Sequence, residues 1–545
     1  MGITKKRVHM SKIILLLFFI GQLQALEIYN PQWGLDGTIK LNSFNTISFD
    51  IRNDEPIIFD DYISISESSY AKGLVTRHKL FLNKGQKKTI QLSCYIQNNY
   101  NDWFLNWPGG KVKINRPKII SDGANIYLSE DTSQRTLPRG LKRLNEELFP
   151  ATVSLTTNLN SIVLDHNPDW SPLQRTAFMD WLKKGGRLYV LQGRTQDYPV
   201  FTSLMSELNF DGQQKYFNNG LVSRQAKTIL NFRMPSANKN SSGQNNNSYD
   251  TDYIIQGLRE IVKTEHNWGL IYFLIFCYLA LIGPLNYIVG RRTRDWKIPN
   301  LFFLLTVIAF SVLFSIIGRR GYGEETKLSS FSFADHIDEN NYDVKQWTDI
   351  FVTSGDTYSV SHQGGINLYH APSEGNNLSA ISDSETNSFT ADIPLFSSRS
   401  LILQTTLPGH QINAEITKMG KTAHTSIKVV TKAKIKDLWV IRKGNVYTTQ
   451  KVGDQYTTSS PLDDQNYFYS PDPYEQIVHS FLSSMVSHNQ NFQTPFKDTT
   501  LNEDLIQVIV MVKSPESFHF KGGNINGKEE GWTLYRLKLN RKKVN

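Results

Sequence analysis

The sequence predicts a multidomain α/β-plus-β protein. Its expected parts are an N-terminal β-sandwich, an α/β domain, a two-helix transmembrane hairpin and a C-terminal β-rich domain. Three observations carry this. Two long apolar runs, beginning at Trp268 and Leu301, stand in an otherwise polar chain. The stretch "SIVLDHNPDWSPLQRTAFMDWLKKGGRLYVLQG" alternates strand, helix and strand signals. Both flanks read as short strands broken by Gly, Pro, Asn and Ser.

At 545 residues the chain is too long for one core, and 39% hydrophobic residues is an ordinary share. A polytopic transporter is therefore excluded. The net charge of +9 comes from 59 basic and 50 acidic residues, so sign alone does not imply nucleic acid. Much of the excess lies in the leader, around the apolar runs and in "RLKLNRKKVN". A basic membrane flank explains it, and no nucleic-acid partner is expected. Cys94 and Cys277 are the only cysteines, and the second lies inside an apolar run. Neither a disulfide between them nor a catalytic thiol is expected.

The elements follow in order. Residues 1–25 read as a signal peptide: Lys5, Lys6, Arg7 and Lys12, then the apolar Ile13–Ile20, then Ala25 at a cleavage position. Residues 26–117 read as an Ig-like β-sandwich, in which Trp103, Phe104 and Trp107 are expected to pack. From 118 to 233 an α/β domain follows. "QRTLPRGLKRLNEELFP" is predicted as a helix, and "ATVSLTT" and "SIVLDH" as strands. Ser171 caps the next helix, Pro172 opens it and Gly185-Gly186 stops it. Residues 234–252 read as a flexible linker and 253–267 as a helix leading into the membrane.

At about 1.5 Å per residue, residues 268–289 and 301–318 are each long enough to cross a hydrocarbon core of roughly 30 Å. The loop 290–300 holds Arg291, Arg292, Arg294 and Lys297 against Asp295 alone, which places it on the cytoplasmic side. Within the first span, Pro284 lacks an N–H and its ring crowds the carbonyl of Ala280, predicting a kink. Gly283 is expected to let a second helix approach, and Asn286 to face that helix. After the hairpin, 322–460 reads as a second β-sandwich with a turn at Gly444-Asn445. Residues 461–545 read as an α/β extension, with a helix in "PYEQIVHSFLSSMVSH" and strands in "DLIQVIVMVKS" and "GWTLYRLKL".

The segments "SIVLDH…LQRTAFMDWLKKGGRLYVLQG" and "YLALIGPLNYIVGRRTRDWKIPNLFFLLTVIAFSVLFSIIGRRGYG" carry a resemblance. Together they resemble uncharacterised bacterial membrane proteins in which a degenerate class I glutamine amidotransferase-like domain precedes a transmembrane hairpin. Gly283, Pro284, Leu285, Asn286, Tyr287, Arg291 and Arg292 fit the hairpin pattern of that group. The resemblance implies a flavodoxin-like sheet for 118–233 and company with AAA-type ATPases and von Willebrand factor A-type proteins. Catalytic amidotransferases use a cysteine on a strand-to-helix elbow. No cysteine lies between Cys94 and Cys277, and no Gly-x-Ser-x-Gly replaces it.

Asp165, His166 and Ser171 are set aside as a hydrolytic set, because neighbours on a strand point to opposite faces. His362 and His370 lack further ligands for a metal. Asp335, Asp338 and Glu339 lack the glycine and terminal glutamate of a calcium loop. The expectation is a non-enzymatic protein without cofactor or metal. Its expected place is the inner membrane of a bacterium, with its soluble parts on the outer side. There it would recognise or assemble with membrane or envelope proteins. The rivals are a hydrolase or transferase acting at the carboxyl ends of the strands, around Asp165, His166 and Gln192, and an accessory subunit of a transporter.

Overall fold

The computed structural model describes residues 26–68, 74–119, 123–130, 137–193, 196–234, 248–262, 268–293, 296–321, 326–362, 365–372, 380–384, 386–419, 425–442, 445–462, 472–491, 505–521, 525 and 527–540. The signal-peptide reading and Arg294 lie outside the described residues, as does most of the linker.

Before the two apolar helices, strands Leu26–Trp33, Ser43–Asn53 and Lys87–Ile96 form an antiparallel sheet. Its inner residues Ile47, Phe49 and Leu92 meet Ile63, Ile65 and Leu80 of a second sheet. Trp103 and Trp107 are buried in that core at 5% and 7% exposure, so they pack rather than present a surface. The second sheet is not made by residues 26–117 alone. Strand Leu74–Leu82 pairs in parallel with Ala380–Asp383, which leads on to Ser388–Ile393 and Asp356–Ser361. The predicted N-terminal sandwich is thus completed by strands that follow the hairpin.

The α/β region has six strands. Ala124–Ser129 lies between Lys142–Asn145 and Leu159–Leu164, followed by Arg187–Leu191 and Gly220–Gln225, all parallel. Gln214–Phe217 closes the edge antiparallel. Two local expectations fail. The helix expected in "QRTLPRGLKRLNEELFP" is the strand Lys142–Asn145 and a single 3₁₀ turn, Glu146–Leu148. The strand expected in "ATVSLTT" is the 3₁₀ turn Val153–Thr156, whose Val153 joins the core. In both cases tertiary burial overrides local propensity.

Helix Pro172–Lys184 has its expected ends. Ser171 and Gln174 form a capping box, and Gly185 (φ 126°) stops it. Phe178, Trp181 and Leu182 pack onto the sheet.

The segment expected as linker and pre-membrane helix is helical from Ser248 to Val262. Its residues Ile254, Ile255 and Leu258 pack with Ile477, Val478 and Leu482 of helix Pro473–Asn491 and with Trp347 and Phe331 of the largest sheet. That sheet has eleven strands. Leu505–Lys513 and Lys528–Asn540 stand in its middle, beside Lys327–His336 and Asn341–Val352. Residues 461–545 are therefore no separate extension; the sheet of 322–460 is built around them. Strands Ile435–Arg442 and Asn445–Val452 pair antiparallel, while Gly444 of the expected turn lies outside the described residues.

One buried charge cluster joins the parts. Lys184, at the end of the α/β helix, pairs with Asp343 of the large sheet, whose carboxylate also accepts from Ser154 at 2.8 Å. Asp335 is gripped by Arg536 through both carboxylate oxygens. Lys345 reaches the Asn42 carbonyl and the Tyr95 hydroxyl, at 2.9 and 3.2 Å. Burial opposes the charge on Asp335, but Arg536, Lys538 and Lys184 hold it ionised far below the ordinary carboxylate range.

Candidate functional site

The parallel sheet sets the first candidate. Its first four strands in chain order lie as second, first, third, fourth. The connections therefore diverge between Ala124–Ser129 and Leu159–Leu164, and open α/β sheets bind ligands beyond the carboxyl ends at such a switch point. The groups that meet there are Tyr127, Glu146, Asp165 and His166. Tyr127 Oη donates to Asp165 Oδ2 at 2.9 Å. His166 Nδ1 lies 3.0 Å from Asp165 Oδ1, and His166 Nε2 lies 2.9 Å from Glu146 Oε2. Trp170 Nε1 donates to the Glu146 carbonyl at 2.8 Å, fixing the turn that carries the carboxylate. All three ionisable side chains are mostly buried.

The expectation that Asp165 and His166 diverge is overturned. The strand ends at Leu164, so the two residues sit past its alternation and their side chains meet. The third member of the discarded set is placed elsewhere: Ser171 is spent on the cap of helix Pro172–Lys184. Burial disfavours a charge on His166. The hydrogen bonds that the ring gives to Asp165 and Glu146, and the charges of Asp165 and Glu130, outweigh it and raise the pKa above the ordinary imidazole value. A ring whose two nitrogens both face carboxylates has no free nitrogen with which to take a proton from a nucleophile. The arrangement can clamp the Glu146 turn to the sheet. Gln192, the other rim residue considered, donates its backbone N–H to the Lys227 carbonyl at 3.1 Å and is not part of the clamp.

Among the described residues no group of three or more His, Cys, Asp or Glu side chains could hold a metal ion. His370 stacks on Tyr95 with ring centres 4.5 Å apart, and His362 lies against Phe520. Asp338 accepts from Asn341 and pairs with Lys183, as befits a solvated turn.

The second candidate is the hairpin. Two helical stretches, Ile271–Arg292 and Lys297–Ser315, are long and apolar enough to cross a membrane. They are not core helices. Phe276 and Tyr287 are 71% and 70% exposed. Around Pro284 the chain winds Leu281–Leu285 as one π-helical turn, in which Asn286 N–H reaches the Leu281 and Gly283 carbonyls. The wider turn accommodates a proline that offers no N–H.

Gly283 does not serve the expected close approach within the hairpin, since a Cβ there would meet nothing within 4 Å. The helices come into ordinary contact at Gly290, where a Cβ would lie 3.6 Å from Pro299. Asn286 is half-buried, and its Oδ1 finds no donor. The basic loop is shorter than expected: Arg291 and Arg292 end one helix, and Lys297 begins the next. Rings of the two helices meet at Tyr278 and Phe310, 5.1 Å apart.

No protein-family model and no curated protein matches the chain. One solved structure that aligns with it is a Paenibacillus sp. cycloisomaltooligosaccharide glucanotransferase complexed with cycloisomaltoheptaose. The identity is 8% and the TM-score 0.16, over 80% of this chain and 98% of that one. Another is a β-glucuronidase from glycoside hydrolase family 2, at 9% identity and TM-score 0.13, over 95% of this chain and 61% of that one. Likenesses of that size carry no argument about fold or activity.

Proposed function

We propose that this chain is a membrane-anchored protein of the bacterial envelope, working by recognition or assembly with other membrane or envelope proteins and not by catalysis. The observation that carries the reading is the pairing of Leu74–Leu82 with Ala380–Asp383. Strands from before and after the apolar helices share a sheet, so both soluble halves lie on one side of any bilayer the helices cross. Arg291, Arg292 and Lys297 at the turn then favour the cytoplasmic face for the hairpin's tip and the outer face for the body. The amidotransferase-like reading of 118–233 fits the strand order of its sheet. A non-catalytic role fits a His166 whose two ring nitrogens are both engaged.

Two measurements test this. In cells with a permeabilised outer membrane, a membrane-impermeant maleimide should label Lys451→Cys and spare Thr293→Cys. The reverse pattern overturns the topology. Crosslinked pull-down of the full chain from native membranes should return a stable set of envelope partners, depleted when Gly283 and Pro284 are replaced by Leu. A partner-free preparation overturns the assembly role, and recovery of a multi-span transporter alone favours the accessory-subunit reading.

A further inference from the structure

The large sheet has two faces. One packs on the α/β region and the two long soluble helices. The other carries two apolar clusters, one around Val344, Leu407 and Val510, the other around Ile350, Leu401 and Leu403. Between them runs a belt of polar side chains on three adjacent strands. Ser330 stands opposite Thr348, Ser332 opposite Gln346, and Val344 opposite Thr405. Strand alternation puts Ser330, Ser332, Gln346, Thr348 and Thr405 on one face, and all five are completely buried. Their side-chain hydroxyls, and both atoms of the Gln346 amide, find no hydrogen-bond partner in the protein.

The belt is roofed by a strap. Residues Ser514–Lys521 leave the sheet where Ser514 N–H meets the Gly531 carbonyl at 3.0 Å. Phe518 seats in the first cluster and Phe520 against the second. The strap lands where Lys521 N–H meets the Ser361 carbonyl at 2.8 Å. His362 and Glu529 border it, and both ring nitrogens of His362 and one carboxylate oxygen of Glu529 are likewise without partners.

We propose that this belt is an internal hydration site, in which ordered water bridges the hydroxyl and amide groups of three strands beneath the Ser514–Lys521 strap. Burying so many unpaired polar groups in a dry interior is costly, and native proteins satisfy such groups with protein or water.

The two titratable groups that border the strap are uncharged at pH 7. Burial, with His519 and Lys521 nearby, lowers His362 to about 3, leaving a neutral ring. Burial raises Glu529 to about 8, against the Phe520 N–H that it accepts, leaving a neutral carboxyl at pH 7. The guanidinium on this face, Arg399, is fully buried opposite Ile350, beyond Thr348, and has interactions of its own.

The test uses the full chain in nanodiscs. A density map fine enough to show water should place peaks within hydrogen-bonding distance of the Gln346 amide and of the Ser330–Thr348 pair. Side chains packed against carbon with no peak overturn the proposal. Thr348→Val and Thr405→Val, which exchange a hydroxyl for a methyl of the same shape, decide independently. A hydrated belt loses bonds and each variant unfolds roughly 1–3 °C lower. A dry belt is relieved of an unpaired hydroxyl, and a higher midpoint in both variants overturns the proposal.

Discussion

His166 shows how a single ring can hold a loop. Its Nδ1 and Nε2 engage carboxylates from two different connections, so removing it loses one of the ties, beside that of Trp170, between the Glu146 turn and the sheet. Because its folded pKa is raised, its stabilisation is complete below the unfolded value of about 6.5 and fades as pH rises through the folded value. His166→Gln should therefore lower stability by about 2 kcal/mol in mild acid, and the gap to the wild type should narrow as pH rises. Urea unfolding across a pH series measures this; a gap that is constant or widens with pH refutes the charged clamp.

Asp335 poses the complementary case, a carboxylate kept ionised by Arg536 inside the junction. Asp335→Asn should cost about 2–4 kcal/mol, because it takes the carboxylate from the partly buried Arg536 and from Lys184 beside it. Adding Arg536→Met should recover part of the loss. Additive losses in this double-mutant cycle would mean the pair is not coupled.

At the scale of elements, helix Pro172–Lys184 is legible from its ends inward: Ser171 caps it, Pro172 starts it and Gly185 stops it. Its seating is a matter of packing that the local pattern does not announce. A Cβ on Gly220 would lie 1.9 Å from the Leu182 carbonyl oxygen, backbone against backbone. Gly220→Ala should destabilise by about 1–3 kcal/mol, while Gly365→Ala, where a Cβ meets nothing within 4 Å, should be near neutral. Thermal unfolding of the two variants side by side checks this, and equal midpoints would refute the close approach. The π-helical turn follows a similar logic: Pro284 in the sequence requires a departure from the α-helix, but whether it bends, breaks or widens is settled by the neighbouring carbonyls.

At the scale of the whole molecule, the halves flanking the hairpin are not independent. Helix Ser248–Val262 buries Ile254, Ile255 and Leu258 against residues that follow the apolar hairpin. His78 and Ser384, from opposite sides of the hairpin, meet at 3.0 Å. A chain ending before residue 326 should lose these contacts and expose the edge of Leu74–Leu82. Gel filtration of its detergent extract should show aggregate, and co-expression of residues 326–545 should restore a single sharp peak. A monodisperse truncated chain would refute the shared body.

What the sequence alone determined is local. The apolar runs and the capped helix each follow from residues a few positions apart, where propensity and periodicity act. His166 escaped that reading because strand alternation was carried one step past Leu164, where it no longer applies. The helix expected after Pro138 failed because short strands at a sheet edge are chosen by their neighbours. Which strands share a sheet, and which charges meet Asp335 and Asp343, only the tertiary structure decided. Strand pairing is satisfied by any compatible edge, and the choice among edges is made by burial of side chains far apart in the chain.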